Sequence, residues 1–189
     1  MQAEYKLSLP ALDDAKADPL AAERLREARA KLGFVPNMYG VMANSPGLLD
    51  TYVHGYERFR VLSGFTPAEQ EVVLLAVSRE NGCTYCVAAH SFIADKMSGV
   101  PELVTNAIRD GLPIPDARLA ALHDFTCTLV KKRGLPDKAD VSAFLAAGYS
   151  ERQILEIVLA IAVKTLSNYA NHLFHTPVDA MFAGRTWTD

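Results

Sequence analysis

Residues 66–90 decide how the chain reads. They open as Thr66-Pro67-Ala68-Glu69-Gln70-Glu71, pass through the apolar run Val72 to Val77, and continue as Glu80-Asn81-Gly82-Cys83-Thr84-Tyr85-Cys86-Val87-Ala88-Ala89-His90. Thr66 three residues ahead of Glu69 is a capping box, with Pro67 at the first helical position. The helix it starts is predicted to stop at Gly82. A second helix is predicted from Cys83 to about Met97, with Gly99 as its C-terminal cap. On that helix Cys83, Cys86 and His90 fall at i, i+3 and i+7, which is one stripe. The stripe sets a thiol pair beside a base that titrates near neutrality. A vicinal dithiol with its own base can reduce a substrate.

Glycine and proline punctuate the rest in the same way. Helices are expected over 20–32 ending at Gly33, in a short turn after Pro36, and from Pro46 to near Gly64. Others are expected over 101–110 closed by Gly111, 116–132 closed by Gly134 and 138–147 closed by Gly148. Ser150 caps a long apolar helix reaching about Phe174. No period-2 strand pattern is present. The fold class is therefore all-α, a helical bundle in one domain over residues 19–189. Residues 1–18 lack helix signals and read as an N-terminal arm suited to lie on a neighbouring subunit. Gly64-Phe65-Thr66 matches Gly148-Tyr149-Ser150 at a constant offset, which also sets Tyr85 on Tyr169, Cys83 on Ser167 and Cys86 on Ala170. Two degenerate helical repeats explain this; so does chance between helices of similar composition.

The 189 residues suffice for one domain with a real core, and with 50% hydrophobic and 22% charged residues the chain is globular. A net charge of −3 gives no electrostatic reason to expect nucleic acid or an anionic membrane as partner. The apolar run Ile157 to Val163, flanked by Glu156 and Lys164, is too short to span a bilayer. The start Met1-Gln2-Ala3-Glu4 lacks the basic-then-apolar order of a signal peptide, so a cytoplasmic location is expected. There a CxxC pair is catalytic or metal-binding more often than structural.

A thiolate is the nucleophile, and Cys83 at a helix start feels unpaired N–H groups that lower a thiol pKa. Cys86 faces His90 at i+4, where imidazole can take its proton or stabilise the thiolate. Thiols three apart can close a disulfide, so a sulfenic acid on one can be resolved by the other. Glu80 is a further candidate: near a thiol it raises the pKa, near His90 it orients the ring. A zinc site is the main rival, because Cys83, Cys86 and His90 supply three of four ligands. A redox-sensing or partner-binding helical module is another. Cys127, among Phe125, Leu129 and Val130, reads as a buried core thiol. His54, His123, His172 and His175 carry no motif. Tyr52, Tyr56 and Phe59 read as core or subunit interface.

The pattern Glu71, Cys83-x-Tyr85-Cys86-x-x-x-His90 resembles the signature of the alkylhydroperoxidase D (AhpD)-like proteins of the carboxymuconolactone decarboxylase superfamily. Leu32-Gly33-Phe34-Val35-Pro36-Asn37, Asn44-Ser45-Pro46 and Phe65-Thr66-Pro67-Ala68-Glu69 are similar to the peroxidase-related branch of that group. The likeness covers about residues 30–180. It implies an all-helical homo-oligomer (dimer, trimer or hexamer) and a thiol-dependent peroxidase without haem, flavin or metal. The implied substrate is a hydroperoxide and the implied reductant a thiol or dithiol. It also implies that Glu71, Cys83, Cys86 and His90 form a proton relay, where spacing alone makes Glu71 a favourable charge in a first helical turn. Members of known activity often carry histidine where this chain has Tyr85, and a phenol is a poor base near neutral pH. The dithiol argues against lactone decarboxylation. Cys86 is the expected attacking thiol and Cys83 the resolving one. The reverse stays open, since Cys83 has the helix terminus.

Overall fold

Proline starts and glycine stops account for most helix boundaries. A computed structural model of the protein describes residues 2–188. Among them are α1 (Pro19–Leu32), α2 (Asn37–Met42), α3 (Pro46–Leu62), α4 (Pro67–Glu80), α5 (Thr84–Lys96), α6 (Glu102–Asp110), α7 (Ala117–Lys131), α8 (Lys138–Ala146), α9 (Glu151–Phe174) and a closing 3-10 helix (Ala180–Arg185). No strand occurs among the described residues. The capping box at Thr66 and Glu69 forms as its sequence predicts, and Asp137 with Asp140 and Ser150 with Gln153 form two more. Each satisfies N–H groups that a helix start leaves without partners.

α4 is the central helix. It packs against α5, α6, α7 and α9, and every residue from Glu69 to Ser78 is buried. A helix apolar on all sides has no solvent face to turn outward, so its neighbours surround it. Val72, Val73, Leu74 and Leu75 meet Phe59, Leu122, Phe125 and Ile157 in the larger core. Phe144 stacks between Phe125 and Tyr149, with ring centroids 4.4 and 4.8 Å away. Burial of each such side chain stabilises by roughly 1.5–3 kcal/mol. A second core lies between α1, α2, α3, α5 and α9. It contains Leu25, Met42, Leu49, Tyr52 and Val163 together with Cys83 and Cys86. The dithiol is thus seated in packed protein, and not in a loop.

Three features go beyond the sequence reading. Residues 2–18 lie along their own chain: Ala3 and Leu7 N–H groups donate to the His172 and Leu173 carbonyls, and Leu12 N–H donates to Gly40. The repeat extends only to the opening turns. α4 ends at Glu80, whereas α9 runs unbroken to Phe174, so Cys83 caps a helix and Ser167 lies inside one. The closing 3-10 helix carried no sequence signal. Phe182 packs it onto Ala88 and Ala89 of α5, and Arg185 pairs with Asp95 at 3.0 Å. No helix of the described residues is long and apolar enough to cross a membrane.

Candidate active site

The turn between α4 and α5 places the dithiol. Gly82 has φ +65°, a left-handed conformation that side chains rarely adopt. Its sharp turn redirects the chain, and the Cys83 N–H reaches back to the Ser78 carbonyl at 2.9 Å. Cys83 is the N-cap of α5, one residue earlier than its first helical position, and its carbonyl accepts from Val87 N–H. Cys86 follows in the first turn and His90 one turn later. All three are buried. No disulfide joins the two sulfurs. Asn171 of α9 joins them: its Nδ2 lies 3.3 Å from Cys86 Sγ and 3.9 Å from Cys83 Sγ. Ser167 Oγ lies 4.0 Å from Cys86 Sγ.

Glu71 is fully buried on α4, and its Oε2 lies 2.8 Å from His90 Nδ1. Its Oε1 accepts from Arg60 of α3, which also donates to the Tyr56 hydroxyl and to Gln70 Oε1. On the other side of the ring, Lys164 Nζ of α9 lies 2.9 Å from His90 Nε2. A lysine ammonium only donates, so Nε2 accepts and the ring proton sits on Nδ1, donated to Glu71. Burial and then the Lys164 charge push the His90 pKa below its ordinary value, which keeps the ring neutral. Burial alone would push Glu71 up. His90 and Arg60 outweigh it and hold the carboxyl below its usual range.

The thiols diverge. Burial pushes Cys86 up, but the Cys83 hydrogen bond and the Lys164 charge together bring it well below the ordinary thiol value. Cys83 goes the other way, raised first by its hydrogen bond to Cys86 and then by burial. The two shifts favour the thiolate at Cys86 and the proton at Cys83.

A cavity of about 470 Å³ opens onto this floor of Cys86, His90 and Lys164. Its walls include the rings of Tyr39, Tyr52, Tyr56, Tyr85, Phe92 and Phe182, with Arg24, Lys31 and Glu57 also on the lining. Tyr52 and Tyr56 stack on each other at 5.8 Å, so the aromatic side of α3 faces the cavity as well as the core. Tyr85 contributes its ring to the wall, but its hydroxyl is committed to Asp179 and its pKa is raised, chiefly by burial. It positions the wall and is not placed to relay protons to the thiols. Glu80 faces elsewhere: it pairs with Lys131 at 3.1 Å, and its charge bears on Cys127. Cys127 is buried with its pKa pushed up to about 12, chiefly by burial, and its sulfur lies 3.5 Å from His123 Nε2. His54 contacts Arg58 and His175 contacts the Ala3 carbonyl.

Arg60, Lys164 and Asn171 complete the site and were not singled out from sequence. The signal for two of them was present. Lys164, Ser167 and Asn171 fall at i, i+3 and i+7, the spacing of Cys83, Cys86 and His90, as a polar stripe on an otherwise apolar helix.

No protein-family model and no curated protein matches the sequence. Solved structures do. One is an alkylhydroperoxidase AhpD core, an uncharacterized peroxidase-related protein from Ralstonia eutropha JMP134. It superposes with a TM-score of 0.82 and 26% identity, covering 98% of this chain and 100% of that one. This chain has the AhpD-like fold. An uncharacterized peroxidase-related protein from Silicibacter sp. TM1040 follows at TM-score 0.76 and 23% identity, covering 98% and 99%. A cysteine-to-alanine variant of the debrominase Bmp8, in complex with 2,3,4-tribromopyrrole, superposes at TM-score 0.76 and 18% identity, covering 95% and 96%. The AhpD-like fold therefore extends over nearly the whole of this chain, from the arm to the closing 3-10 helix.

Proposed function

We propose that this AhpD-like chain is a thiol-dependent reductase of organic hydroperoxides. One observation carries the reading: the sulfur with the lowered pKa, Cys86, sits on the floor of an open cavity beside a protonated partner thiol. In the first step the Cys86 thiolate attacks the terminal peroxide oxygen. An S–O bond forms, the O–O bond breaks, and the alkoxide leaves to be protonated as alcohol. Cys83 then displaces hydroxide from the sulfenic acid, forming the disulfide and water. Two thiols, or one dithiol, return the pair to the reduced state. Glu71 and Arg60 hold His90 neutral and oriented. The fold shared with peroxidase-related proteins supports this reading. Assembly into a homo-oligomer belongs to the same proposal, supported by exposed Leu155, Val158, Tyr169 and Leu173 along α9. Zinc binding is disfavoured because both His90 nitrogens are engaged and the Lys164 charge lies among the would-be ligands.

Titration of Cys83→Ser and Cys86→Ser with an alkyl hydroperoxide tests it. The Cys83→Ser protein is expected to accumulate sulfenic acid and the Cys86→Ser protein to stay unreacted. No sulfenic acid in either would end the peroxidase mechanism. A second reading has a specific support. The cavity walls carry several aromatic rings, and a neighbour of the same fold is a debrominase. An aryl bromide would be reduced by the two thiols to arene, bromide and disulfide. Bromide release from bromopyrroles, with none of the hydroperoxide activity, would favour it.

A further inference from the structure

Lys164 is a charged side chain that the dithiol mechanism above leaves without a task. It is fully buried on α9, one turn from Ser167 and two from Asn171, both of which reach the Cys86 sulfur. Its Nζ donates to His90 Nε2. Among the described residues no carboxylate pairs with it, because the buried Glu71 is taken by Arg60 and His90. An ammonium removed from water without a counter-charge is strongly disfavoured, so such groups are paired or neutral. Cys86 lies on the same cavity floor.

His90 cannot serve as the acid here. Its single proton points at Glu71, and its remaining lone pair is filled by Lys164. Lys164 has three protons and spends one on His90, which leaves two, and it lines the same cavity as Cys86. We propose that Lys164 is the counter-ion of the Cys86 thiolate and the acid that protonates the oxygen leaving it during peroxide reduction. The acid role rests on the peroxidase reading; the ion pair does not.

The proton accounting closes. Attack by the thiolate forms S–O and breaks O–O, and the alkoxide takes a proton from Lys164. This leaves sulfenic acid, alcohol and a neutral amine. The amine then accepts the Cys83 thiol proton as S–S forms and returns it to the departing hydroxide as water. The oxidised protein thus holds a disulfide beside a neutral Lys164, with no uncompensated charge at either stage. Reduction by two thiols supplies the two protons that restore Cys83 and the ammonium.

The test compares Lys164→Met and Lys164→Arg in a Cys83→Ser background. Alkylation of Cys86 by iodoacetamide against pH needs no peroxide and reports the ion pair. Lys164→Met is expected to move the midpoint up by about one to three pH units, while Lys164→Arg keeps it low. An unmoved midpoint in Lys164→Met overturns the ion pair. Should that variant not fold, Lys164→Gln is read in the same way. Sulfenic acid formation then reports the acid. Arginine holds its protons, so Lys164→Arg is expected to lose about 10²- to 10⁴-fold with an alkyl hydroperoxide. It should lose much less with a peracid, whose carboxylate leaves without a proton. Equal losses with both oxidants overturn the acid role. If the parent reacts with neither oxidant, the peroxidase reading fails and the alkylation profile still judges the ion pair.

Discussion

The Tyr85 hydroxyl donates to Asp179, and this bond ties the dithiol helix to the segment that closes the chain. The other Asp179 oxygen accepts from the Asn37 N–H at 3.1 Å, so one carboxylate joins α2, α5 and the approach to the closing 3-10 helix. Tyr85→Phe keeps the ring in the cavity wall and removes the donor. The expected loss is about 1–3 kcal/mol, read as a lower urea midpoint, because a buried carboxylate oxygen is left unpaired. The Cys86 alkylation profile should stay where it is. A profile that moves instead would mean that the phenol takes part in the proton chemistry.

Glu71→Gln removes one charge and almost no volume. Arg60 would keep a neutral acceptor, but its charge would lose the Glu71 carboxylate, with which it pairs. A stability loss of about 2–4 kcal/mol is expected, since breaking one side of a buried pair leaves the other uncompensated. Peroxide turnover should fall about 10- to 100-fold as the His90 ring loses the partner that fixes its tautomer. Stopped-flow rates and urea titrations on the same preparation check both. A stable variant with full activity would show that Glu71 is not needed to hold His90.

The pH dependence follows from the signs of the shifts. Glu71 and His90 are both lowered from their ordinary values of 4.5 and 6.5. In each case the unfolded chain takes a proton before the folded one does. Their contribution is complete above 6.5 and is lost as pH falls through that value and then through 4.5. Cys86 acts in the same sense from 9.0 downward, and Cys83, raised from 9.0, in the opposite sense above it. Urea midpoints measured against pH should therefore fall on the acid side, and His90→Gln should flatten the limb that begins near 6.5. An unchanged limb would show that His90 is not buried neutral.

Most of the architecture was legible because it is written in local chemistry. Thr66 with Glu69, Ser150 with Gln153, and the glycines after α1, α6 and α8 each act within a few residues. The half of the site on α4 and α5 was legible for the same reason: Glu71, Cys83, Cys86 and His90 lie within twenty residues. The other half was not. Lys164 and Asn171 are more than seventy residues from His90, and only the packing of α9 beside α5 brings them to the sulfurs. Glu80 misled because a residue three before Cys83 suggests a shared face, which the Gly82 turn abolishes.

Peroxide should consume two of the three thiols and spare the third. Cys127 is buried on α7 with its pKa pushed up to about 12, and a protonated, enclosed thiol is a poor nucleophile. A thiol count under denaturing conditions is expected to fall from three to one, with peptide mapping placing the new disulfide between Cys83 and Cys86. Loss of Cys127, or a cross-link that includes it, would move the redox chemistry out of the cavity.

Gly55 links the packing of the bundle to the chemistry of its floor. A Cβ added there would stand 2.8 Å from Val163 Cγ2, closer than carbon atoms can approach. Val163 is buried and β-branched, so its methyl cannot swing aside at low cost. Gly55→Ala must instead push α9 away from α3, with an expected loss of about 1–3 kcal/mol. The residue after Val163 is Lys164, whose ammonium is held within hydrogen-bond reach of His90 by that same approach of helices. The variant should therefore raise the midpoint of Cys86 alkylation as well as lower the urea midpoint, although Gly55 touches neither sulfur. Lower stability with an unmoved alkylation profile would show that Lys164 is placed by its own contacts and not by the seam between α3 and α9.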